Sequence, residues 1–302
     1  MIKNNIVKNE AAEFFPPLHS RTNKGNMGRV LVVCGSYDPK GLSMCGAAYF
    51  AARSAYLCGA GIVEIFTERE NYAALATLVP EAVFSLYGYG ETSDAVSERL
   101  AAEVAKSDAV VLGCGLGKSE MARALVRAVL ESVKCPLLID ADGLNILSED
   151  DSLWALLDES QGRMTVVTPH PGEMARLTGK EISEILENVP SEAAEFARKK
   201  GIICLLKDHN TAISDGETVY INQSGNPGMA TAGMGDVLAG IVGALLARAE
   251  KTDYSDILRR VAVSAYIHGR AGDLAAAKIG HYSLTSSELL AEIPAAIAEI
   301  FG

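Results

Sequence analysis

SGNPGMATAGMGDVLAGIVGALLARAE (residues 224–250) joins a glycine-dense loop directly to a strongly apolar segment. The apolar run over 236–250 has the length and composition of a buried helix, so we predict that a helix begins close to Gly235. Four glycines, at positions 225, 228, 233 and 235, lie in the segment before Asp236. Because glycine has no Cβ, the main-chain N–H groups of such a loop can approach a ligand closely.

The beginning of this helix has the properties of an anion-binding site. The first N–H groups of a helix have no partner within the helix, and the helix dipole is positive at that end. Gly233, Met234 and Gly235 are therefore predicted to form an anion hole for a phosphate group. A carboxylate beside bound phosphate can take the proton of an attacking hydroxyl, which makes Asp236 the candidate base. An ordinary helix cap, with about 0.5–2 kcal/mol of stabilisation, would explain Asp236 but not the clustered glycines.

Short β-branched segments alternate with longer alanine-rich segments along the chain. This pattern predicts one α/β domain over residues 1–302, with helices on both faces of a mostly parallel sheet and antiparallel strands at one edge. The predicted helices are 44–61, 121–133, 236–250 and 256–278, and the predicted strands lie in 29–35, 62–67 and 109–115. Further predicted strands open 135–147, where a loop follows, and 164–179, where a helix follows; three more lie within 201–223, with a hairpin turn at Asp215-Gly216.

Composition and charge exclude several classes of protein. The net charge is −11, so there is no basic excess to neutralise a nucleic-acid backbone. The six cysteines form no C-x-x-C pair, which argues against a zinc site and for a reducing compartment. The N-terminal residues lack the apolar core of a signal peptide, and the long apolar segments are interrupted before they reach membrane-spanning length. We therefore expect a cytoplasmic protein that binds neither nucleic acid nor membrane.

Polar residues cluster where the predicted parallel strands end, which is the edge at which such sheets bind ligands. In DADGLN (140–145), Asp140, Asp142 and Asn145 suit Mg²⁺ or a ribose hydroxyl, and an Asx turn is the alternative. In TPHPGE (168–173), two prolines fix the turn that carries His170, for which a purely structural role stays open. KDHNT (207–211) follows a buried strand and taken alone also fits a charged turn.

A second glycine loop, GCGLGKS (113–119), resembles the phosphate-binding P-loop but has the wrong spacing. The P-loop pattern G-x-x-x-x-G-K-[ST] would need glycine at position 112, which is leucine, and Gly113 leaves the loop one residue short. The phosphate site is therefore predicted at 233–236, and Lys118 has no predicted role.

Seven motifs in order carry a family resemblance. They are KGNMGRVLVVCGS, GAGIVEIFT, GLGKS, DADGLN, TPHPGEMARLTG, LLKDHNTAI and NPGMATAGMGDVLAGIVGALLA, and they lie between residues 24 and 247. The resemblance itself runs from about residue 20 to residue 290. The GMGD element resembles the G-x-G-D signature of the ribokinase-like superfamily. Together the motifs resemble the ADP/ATP-dependent NAD(P)H-hydrate dehydratases, which repair nicotinamide nucleotides. The resemblance implies a three-layer ribokinase-like fold.

The resemblance also implies an activity. Family members phosphorylate the hydroxyl of hydrated NADH or NADPH with ADP (giving AMP and phosphate) or with ATP, and loss of phosphate restores the reduced nicotinamide. The net reaction is that of a hydro-lyase acting on the S hydrate. The resemblance further implies Mg²⁺, a nucleotide co-substrate and a homotetramer, and we expect no epimerase domain within 1–302.

The resemblance implies roles for particular residues. Asp236 is the catalytic base. The hydrate contacts Ala47, Gly117, His170 and Asp236, whereas the adenine nucleotide contacts Lys207, Asp208, His209, Asn210, Thr211 and Gly235. Helix packing is an alternative role for Ala47, and helix-dipole complementation is one for Glu173. Glu173 and Asp140 are the candidate metal ligands.

Three other functions compete with this interpretation. A hydroxyethylthiazole kinase or another ribokinase-like kinase would share the fold and the G-x-G-D loop, but would not be expected to carry TPHPGE together with KDHNT. A nucleotide-sensing protein without activity would have no need of Asp236. A Rossmann dehydrogenase would need G-x-G-x-x-G after an early strand, which CGSYDPKG does not supply.

Overall fold

The computed structural model of the chain describes residues 2–4, 11–15, 18–38, 40–88, 90–158, 165–249 and 254–301. Residue 164, which begins a predicted strand, and residue 250, which ends a predicted helix, lie outside these ranges.

One sheet of ten strands forms the centre of the described chain, in the order β1-β12-β11-β10-β9-β8-β7-β2-β5-β6. Strand β11 runs antiparallel to both of its neighbours, β10 and β12. All other neighbouring strands in this sheet are parallel to each other. The two short strands β3 and β4 form a separate hairpin. The strands are β1 Ile2–Asn4, β2 Arg29–Val33, β3 Tyr37–Asp38, β4 Leu42–Ser43, β5 Ile62–Glu68, β6 Val83–Tyr87, β7 Ala109–Leu112, β8 Leu137–Ile139, β9 Thr165–Val167, β10 Ile203–Leu206, β11 Thr211–Ser214 and β12 Val219–Asn222.

Helices cover both faces of this sheet, which gives three layers. They are α1 Cys45–Leu57, α2 Tyr72–Leu78, α3 Ser93–Val104, α4 Glu120–Ser132, α5 Asp142–Glu149, α6 Asp151–Asp158, α7 Pro171–Thr178, α8 Ile182–Glu187, α9 Val189–Lys200, α10 Met234–Leu246, α11 Tyr254–Ile279 and α12 Ser286–Phe301. Val30 and Val32 of β2 belong to the core beneath α1, α2 and α10–α12, whereas Leu31 and Val33 belong to the opposite core beneath α3–α9. Each central strand is thus buried on both faces, as its continuous apolar sequence predicts.

The α1–α10 contact depends on a glycine in the middle of α10. A Cβ on Gly240 would lie 2.0 Å from the carbonyl oxygen of Ala51 and 2.1 Å from Oγ of Ser54. Because Gly240 has no side chain, α10 can lie directly against α1, and the two helices share the core on this face. This contact fixes the beginning of α10 above the carboxyl ends of the central strands.

The predicted α/β class and the mostly parallel sheet are confirmed. The predicted hairpin at Asp215-Gly216 joins antiparallel β11 and β12. Three details of the prediction were wrong. The segment after β8 is helix α5 rather than a loop, the helix predicted over 44–61 ends at Leu57, and β12 is not the edge because the unpredicted strand β1 pairs beside it. Among the described residues, no helix has both the length and the apolar composition that a membrane span requires.

Candidate functional site

Asp236 lies in the first turn of α10, after a helix start that only glycine accommodates. The residue before the helix, Gly233, has a φ of +87°, and a Cβ there would lie 2.9 Å from both the Phe50 ring and Oγ of Ser286. Since Asp236 is the third residue of α10, its own side chain does not cap the helix. The interpretation of Asp236 as an ordinary cap is therefore wrong, and the carboxylate is available for other chemistry.

The environment of Asp236 raises the pKa of its carboxyl group well above the ordinary value of an aspartate. Burial, followed by the negative charge of Asp140, raises the pKa of Asp236 from 3.8 to about 6. A hydrogen bond with the buried Cys114 thiol and the positive charge of Lys207 act in the opposite direction. A carboxylate with this pKa is still ionised at pH 7 and is a stronger base than an exposed aspartate.

Asp140 and Lys207 form an ion pair beside Asp236. Nζ of Lys207 donates a hydrogen bond to Oδ1 of Asp140 at 2.8 Å and lies 3.8 Å from Oε2 of Glu173. Burial lowers the pKa of Lys207, but the two carboxylates outweigh it and hold that pKa above its ordinary value. Burial is the largest influence on Glu173, whose pKa is raised. The loops after β8, β9 and β10 thus bring three charged groups together.

Gly235 lies directly against this ion pair. A Cβ on Gly235 would be 3.5 Å from Oδ2 of Asp140 and 3.6 Å from Nζ of Lys207. The main-chain N–H groups at the beginning of α10 and the Lys207 ammonium group therefore lie close together. A phosphoryl group held here would meet the positive end of a helix and a cation, with the carboxyl group of Asp236 one residue further along the chain.

The loop after β8 holds the second glycine loop in place. Ala141 has a φ of +51°, and it is the one non-glycine residue with a positive φ among those the structure describes. This strained conformation lies between Asp140 and Asp142, and such strain commonly marks functional sites. Oδ2 of Asp142 accepts a hydrogen bond from the main-chain N–H of Gly117 at 2.8 Å. Asp142 therefore fixes the position of Gly117, a predicted hydrate contact.

The remaining residues of the second glycine loop divide between the site and the surface. A Cβ on Gly115 would lie 2.8 Å from Cβ of Ala47, so the loop lies against the beginning of α1, where Ala47 was predicted to contact the hydrate. Nζ of Lys118 forms an ion pair with Oε1 of Glu149 at 2.9 Å, and its side chain is half exposed. The similarity of this loop to a P-loop is therefore a coincidence, and Lys118 belongs to a surface ion pair.

His170 caps α7 and also faces the site. Its Nδ1 accepts hydrogen bonds from the N–H groups of Gly172 and Glu173, while Oε2 of Glu173 accepts one from the His170 N–H at 2.8 Å. Burial and the nearby charges of Lys207 and Arg176 lower the pKa of His170, so the ring is neutral at pH 7. The structural role predicted as an alternative is thus present through Nδ1, and the other ring nitrogen, Nε2, lies 3.5 Å from Oε1 of Glu173.

A cavity of about 790 Å³ opens beside Gly235. Four residues of the predicted nucleotide-binding stretch line it, namely Lys207, Asp208, His209 and Thr211; Asn210 does not, and its side chain instead contacts Nε2 of His209 at 2.8 Å. The apolar part of the lining includes Met229 and Leu238. A cavity of this size suits a nucleotide, with the apolar part against the base and the beginning of α10 against the phosphates.

Sequence patterns did not reveal several residues that shape this cavity. His268 of α11 lines it; burial is the main cause that lowers its pKa to about 4, and its Nε2 is buried without a partner. Asp273 accepts hydrogen bonds from the Gly225 N–H and the Asn226 side chain, which holds the loop before α10. No local sequence pattern marks a polar residue on one face of a long helix as part of a site, because the loop that it contacts is distant in the sequence.

The carboxylates at the site fit a magnesium ion that arrives with phosphate. Among the described residues there is no group of three or more histidine, cysteine or acidic side chains that could hold a metal. Oδ1 of Asp140 is engaged by Lys207, whereas Oδ2 lies on the side of Gly235 and the anion hole. Mg²⁺ in proteins usually keeps several waters and binds one or two carboxylates together with substrate phosphates. The carboxylate of Asp140 beside the predicted anion hole fits this mode of coordination.

The fold and the site together define a class of protein: a ribokinase-like α/β protein with a glycine-rich helix start that carries a buried carboxyl group. A ribokinase-like superfamily protein of Enterococcus faecalis has a similar structure, with a TM-score of 0.80, 27% identity and coverage of 99% of this chain and 96% of that one. A family model described as NAD(P)H-hydrate dehydratase matches residues 30–295. The chain belongs to the NAD(P)H-hydrate dehydratase family.

Two relatives illustrate the range of lengths in this family. The bifunctional NAD(P)H-hydrate repair enzyme of Moorella thermoacetica is 38% identical over 284 residues, which are 92% of this chain and 51% of that protein. The ADP-dependent (S)-NAD(P)H-hydrate dehydratase of Lactiplantibacillus plantarum is 31% identical over 276 residues, which are 90% of this chain and 89% of that protein. The chain thus spans about half the length of the bifunctional relatives.

Proposed function

We propose that this protein dehydrates the S form of NADH or NADPH hydrate, with ADP or ATP as the phosphoryl donor. The observation that carries the proposal is the position of Asp236. A carboxylate whose pKa is raised to about 6 lies at the start of α10, next to main-chain N–H groups and the Lys207–Asp140 ion pair. This arrangement can bind a transferring phosphoryl group and deprotonate the acceptor hydroxyl at the same place.

The proposed reaction has two steps. In the first, Asp236 takes the proton of the hydrate hydroxyl, and the hydroxyl oxygen attacks the terminal phosphorus, which releases AMP from ADP or ADP from ATP. In the second, the carbon–oxygen bond breaks, phosphate leaves, and loss of a proton from the neighbouring carbon restores the ring double bond. The N–H groups of Gly235 and its neighbours bind the phosphoryl oxygens in the first step.

The remaining side chains bind and orient the two substrates. We assign the adenine nucleotide to the 790 Å³ cavity beside Lys207 and Thr211. We assign the hydrate to the side of the site formed by Ala47, Gly117 and His170. Mg²⁺ bound near Asp140 and Glu173 would neutralise charge that develops on the phosphates. The cytoplasmic location stays a prediction based on composition, and the homotetramer stays one based on the family resemblance.

The decisive test is a repair assay. The purified chain is incubated with NADH hydrate, Mg²⁺ and either ADP or ATP, and absorbance at 340 nm is followed as reduced nicotinamide reappears. We expect recovery with at least one nucleotide and release of equimolar phosphate. If neither nucleotide restores absorbance while hydroxyethylthiazole or a sugar is phosphorylated, the protein is a small-molecule kinase and the proposal fails.

The Asp236→Asn variant tests the base. We expect loss of nearly all turnover with the dissociation constant for ADP largely unchanged, because the carboxylate acts on the hydroxyl proton and not on the base of the nucleotide. Turnover that survives this substitution would refute the assignment of Asp236.

A further inference from the structure

Arg176 extends from the last turn of α7 and is held in place by a chain of hydrogen bonds that ends in the site. Its Nε donates to Oδ1 of Asn145 at 3.0 Å, and Nδ2 of Asn145 donates to Oδ1 of Asp142 at 3.3 Å. Oδ2 of the same aspartate accepts from the Gly117 N–H at 2.8 Å. An exposed arginine normally samples many rotamers, but this one is oriented before any ligand arrives.

The guanidinium group keeps its two terminal nitrogens available. Nε of Arg176 donates to Asn145. Among the residues that the structure describes, no carboxylate lies within ion-pair distance of Arg176. Arg123 and Arg270 differ, because Arg123 is paired with Glu149 and Arg270 with Glu299. In a chain with a net charge of −11, an oriented guanidinium without a carboxylate partner is suited to bind an anion from outside.

Arg176 lies beside the predicted hydrate contacts. Its Nη1 is 4.0 Å from the position that a Cβ would take on Gly172, in the first turn of α7. Its positive charge lowers the pKa of both His170 and Glu173, although burial remains the largest influence on each. Arg176, Asn145 and Gly117 are absent from the lining of the 790 Å³ cavity, whereas His170 is part of it. Arg176 therefore lies outside the cavity to which we assign the adenine nucleotide, with His170 between the two.

We propose that Arg176 binds the diphosphate group of the dinucleotide hydrate and so determines that the protein acts on dinucleotides. This inference rests on the proposed function. With the hydrated ring at Asp236, the dinucleotide leaves the site along Gly117 and His170 towards Arg176. The two terminal guanidinium nitrogens match two oxygens of a diphosphate in a bidentate arrangement, which a lysine ammonium group cannot reproduce.

The test compares two substrates that differ in phosphate. One is NADH hydrate, and the other is the hydrate of reduced nicotinamide riboside, which carries no phosphate. The variants are Arg176→Gln and Arg176→Lys, with Arg123→Gln as the matched control because Arg123 is a surface arginine outside the site. For Arg176→Gln we expect the KM for NADH hydrate to rise by about 10- to 100-fold with kcat retained. We expect Arg176→Lys to recover only part of the loss and Arg123→Gln to behave as the unaltered protein.

Two further measurements separate this role from others. The KM for ADP and the kcat/KM for the phosphate-free hydrate should be the same in Arg176→Gln and the unaltered protein. An equal loss on both hydrates would indicate a structural role, and an increase in the KM for ADP alone would indicate the nucleotide phosphates; each result overturns the inference. Absence of repair activity in the unaltered protein refutes the proposed function itself, and is seen before any variant is compared.

Discussion

Lys207 and Asp140 form a 2.8 Å ion pair between two loops that lie 67 residues apart in the sequence. The Asp140 side chain is 2% exposed and that of Lys207 is 23% exposed, so the charges attract each other through little water. Burial is the largest influence on the pKa of the neighbouring Asp236, and the pair adds to it, because Asp140 raises this pKa and Lys207 lowers it. One ion pair therefore contributes both to folding and to the chemistry of the site.

Replacing Lys207 with methionine should affect stability and catalysis in the same variant. Asp140 would be left buried without its partner, and we expect the free energy of unfolding to fall by about 2–4 kcal/mol. The pKa of Asp236 should rise further, so the acidic limb of the kcat/KM profile should move to higher pH. Urea unfolding and a pH–rate profile measure the two effects.

Lys118→Met is the matched control for this substitution. The ammonium group of Lys118 pairs with Glu149 at the surface. Surface ion pairs contribute about 0–1 kcal/mol to stability. We expect little change in stability and none in the pH profile. A Lys207→Met profile that coincides with that of the unaltered protein would show that the ion pair does not control Asp236.

Asp236→Asn should stabilise the folded protein at neutral and alkaline pH. The pKa of Asp236 is about 6 in the folded state, against an ordinary value of 3.8, so the folded protein binds this proton more tightly than the unfolded chain does. Ionisation therefore destabilises the fold progressively from pH 3.8 to about 6, and the full cost is present above that range. At about 1.4 kcal/mol per pH unit, the variant should gain about 3 kcal/mol at pH 8.

The gain should disappear at pH 4, where Asp236 is protonated in the folded protein. Urea unfolding at the two pH values provides the comparison, and Asp94→Asn, on an exposed helix end, serves as the control with no expected gain. An Asp236→Asn variant that is equally stabilised at both pH values would show that the charge of the carboxylate is not the cause.

The sequence allowed the fold class and a helix start close to Gly235 to be predicted, because each depends on a local pattern; the role of Asp236 as base stays a prediction. The sequence did not reveal that Lys207 pairs with Asp140, since the order of parallel strands determines which loops meet. The edge strand β1 was missed because Ile2–Asn4 is too short for an alternating pattern. His268 was missed for the same reason as Lys207. It lines the cavity only because segments distant in the sequence pack against α11.

Two substitutions at His170 separate its helix-capping role from its predicted contact with the hydrate. Asparagine is also a good helix cap, so His170→Asn should retain stability, whereas His170→Ala should lose about 0.5–2 kcal/mol. If the imidazole contacts the hydrate, both variants should show a higher KM for NADH hydrate. Thermal unfolding and steady-state kinetics measure these effects. Normal kinetics in His170→Asn would leave the histidine with a structural role only.

Gly235→Ala and Gly240→Ala place the same methyl group at two positions of α10 with opposite expected results. At Gly235, the Cβ would lie 3.5 Å from Oδ2 of Asp140, an ordinary contact distance, so the fold should be retained. The methyl group would nevertheless occupy space beside the anion hole, and the KM for ADP should rise. At Gly240, the Cβ would lie 2.0 Å from the Ala51 carbonyl oxygen, so α1 and α10 must separate.

We therefore expect the free energy of unfolding of Gly240→Ala to fall by about 1–3 kcal/mol through overpacking. Since alanine favours helices more than glycine by about 1 kcal/mol, any loss at Gly240 is a measure of the helix contact itself. Urea unfolding and the KM for ADP, measured on both variants, distinguish the two positions. A Gly235→Ala variant with a normal KM for ADP would place the phosphates away from the beginning of α10, and would contradict the anion hole at Gly233–Gly235.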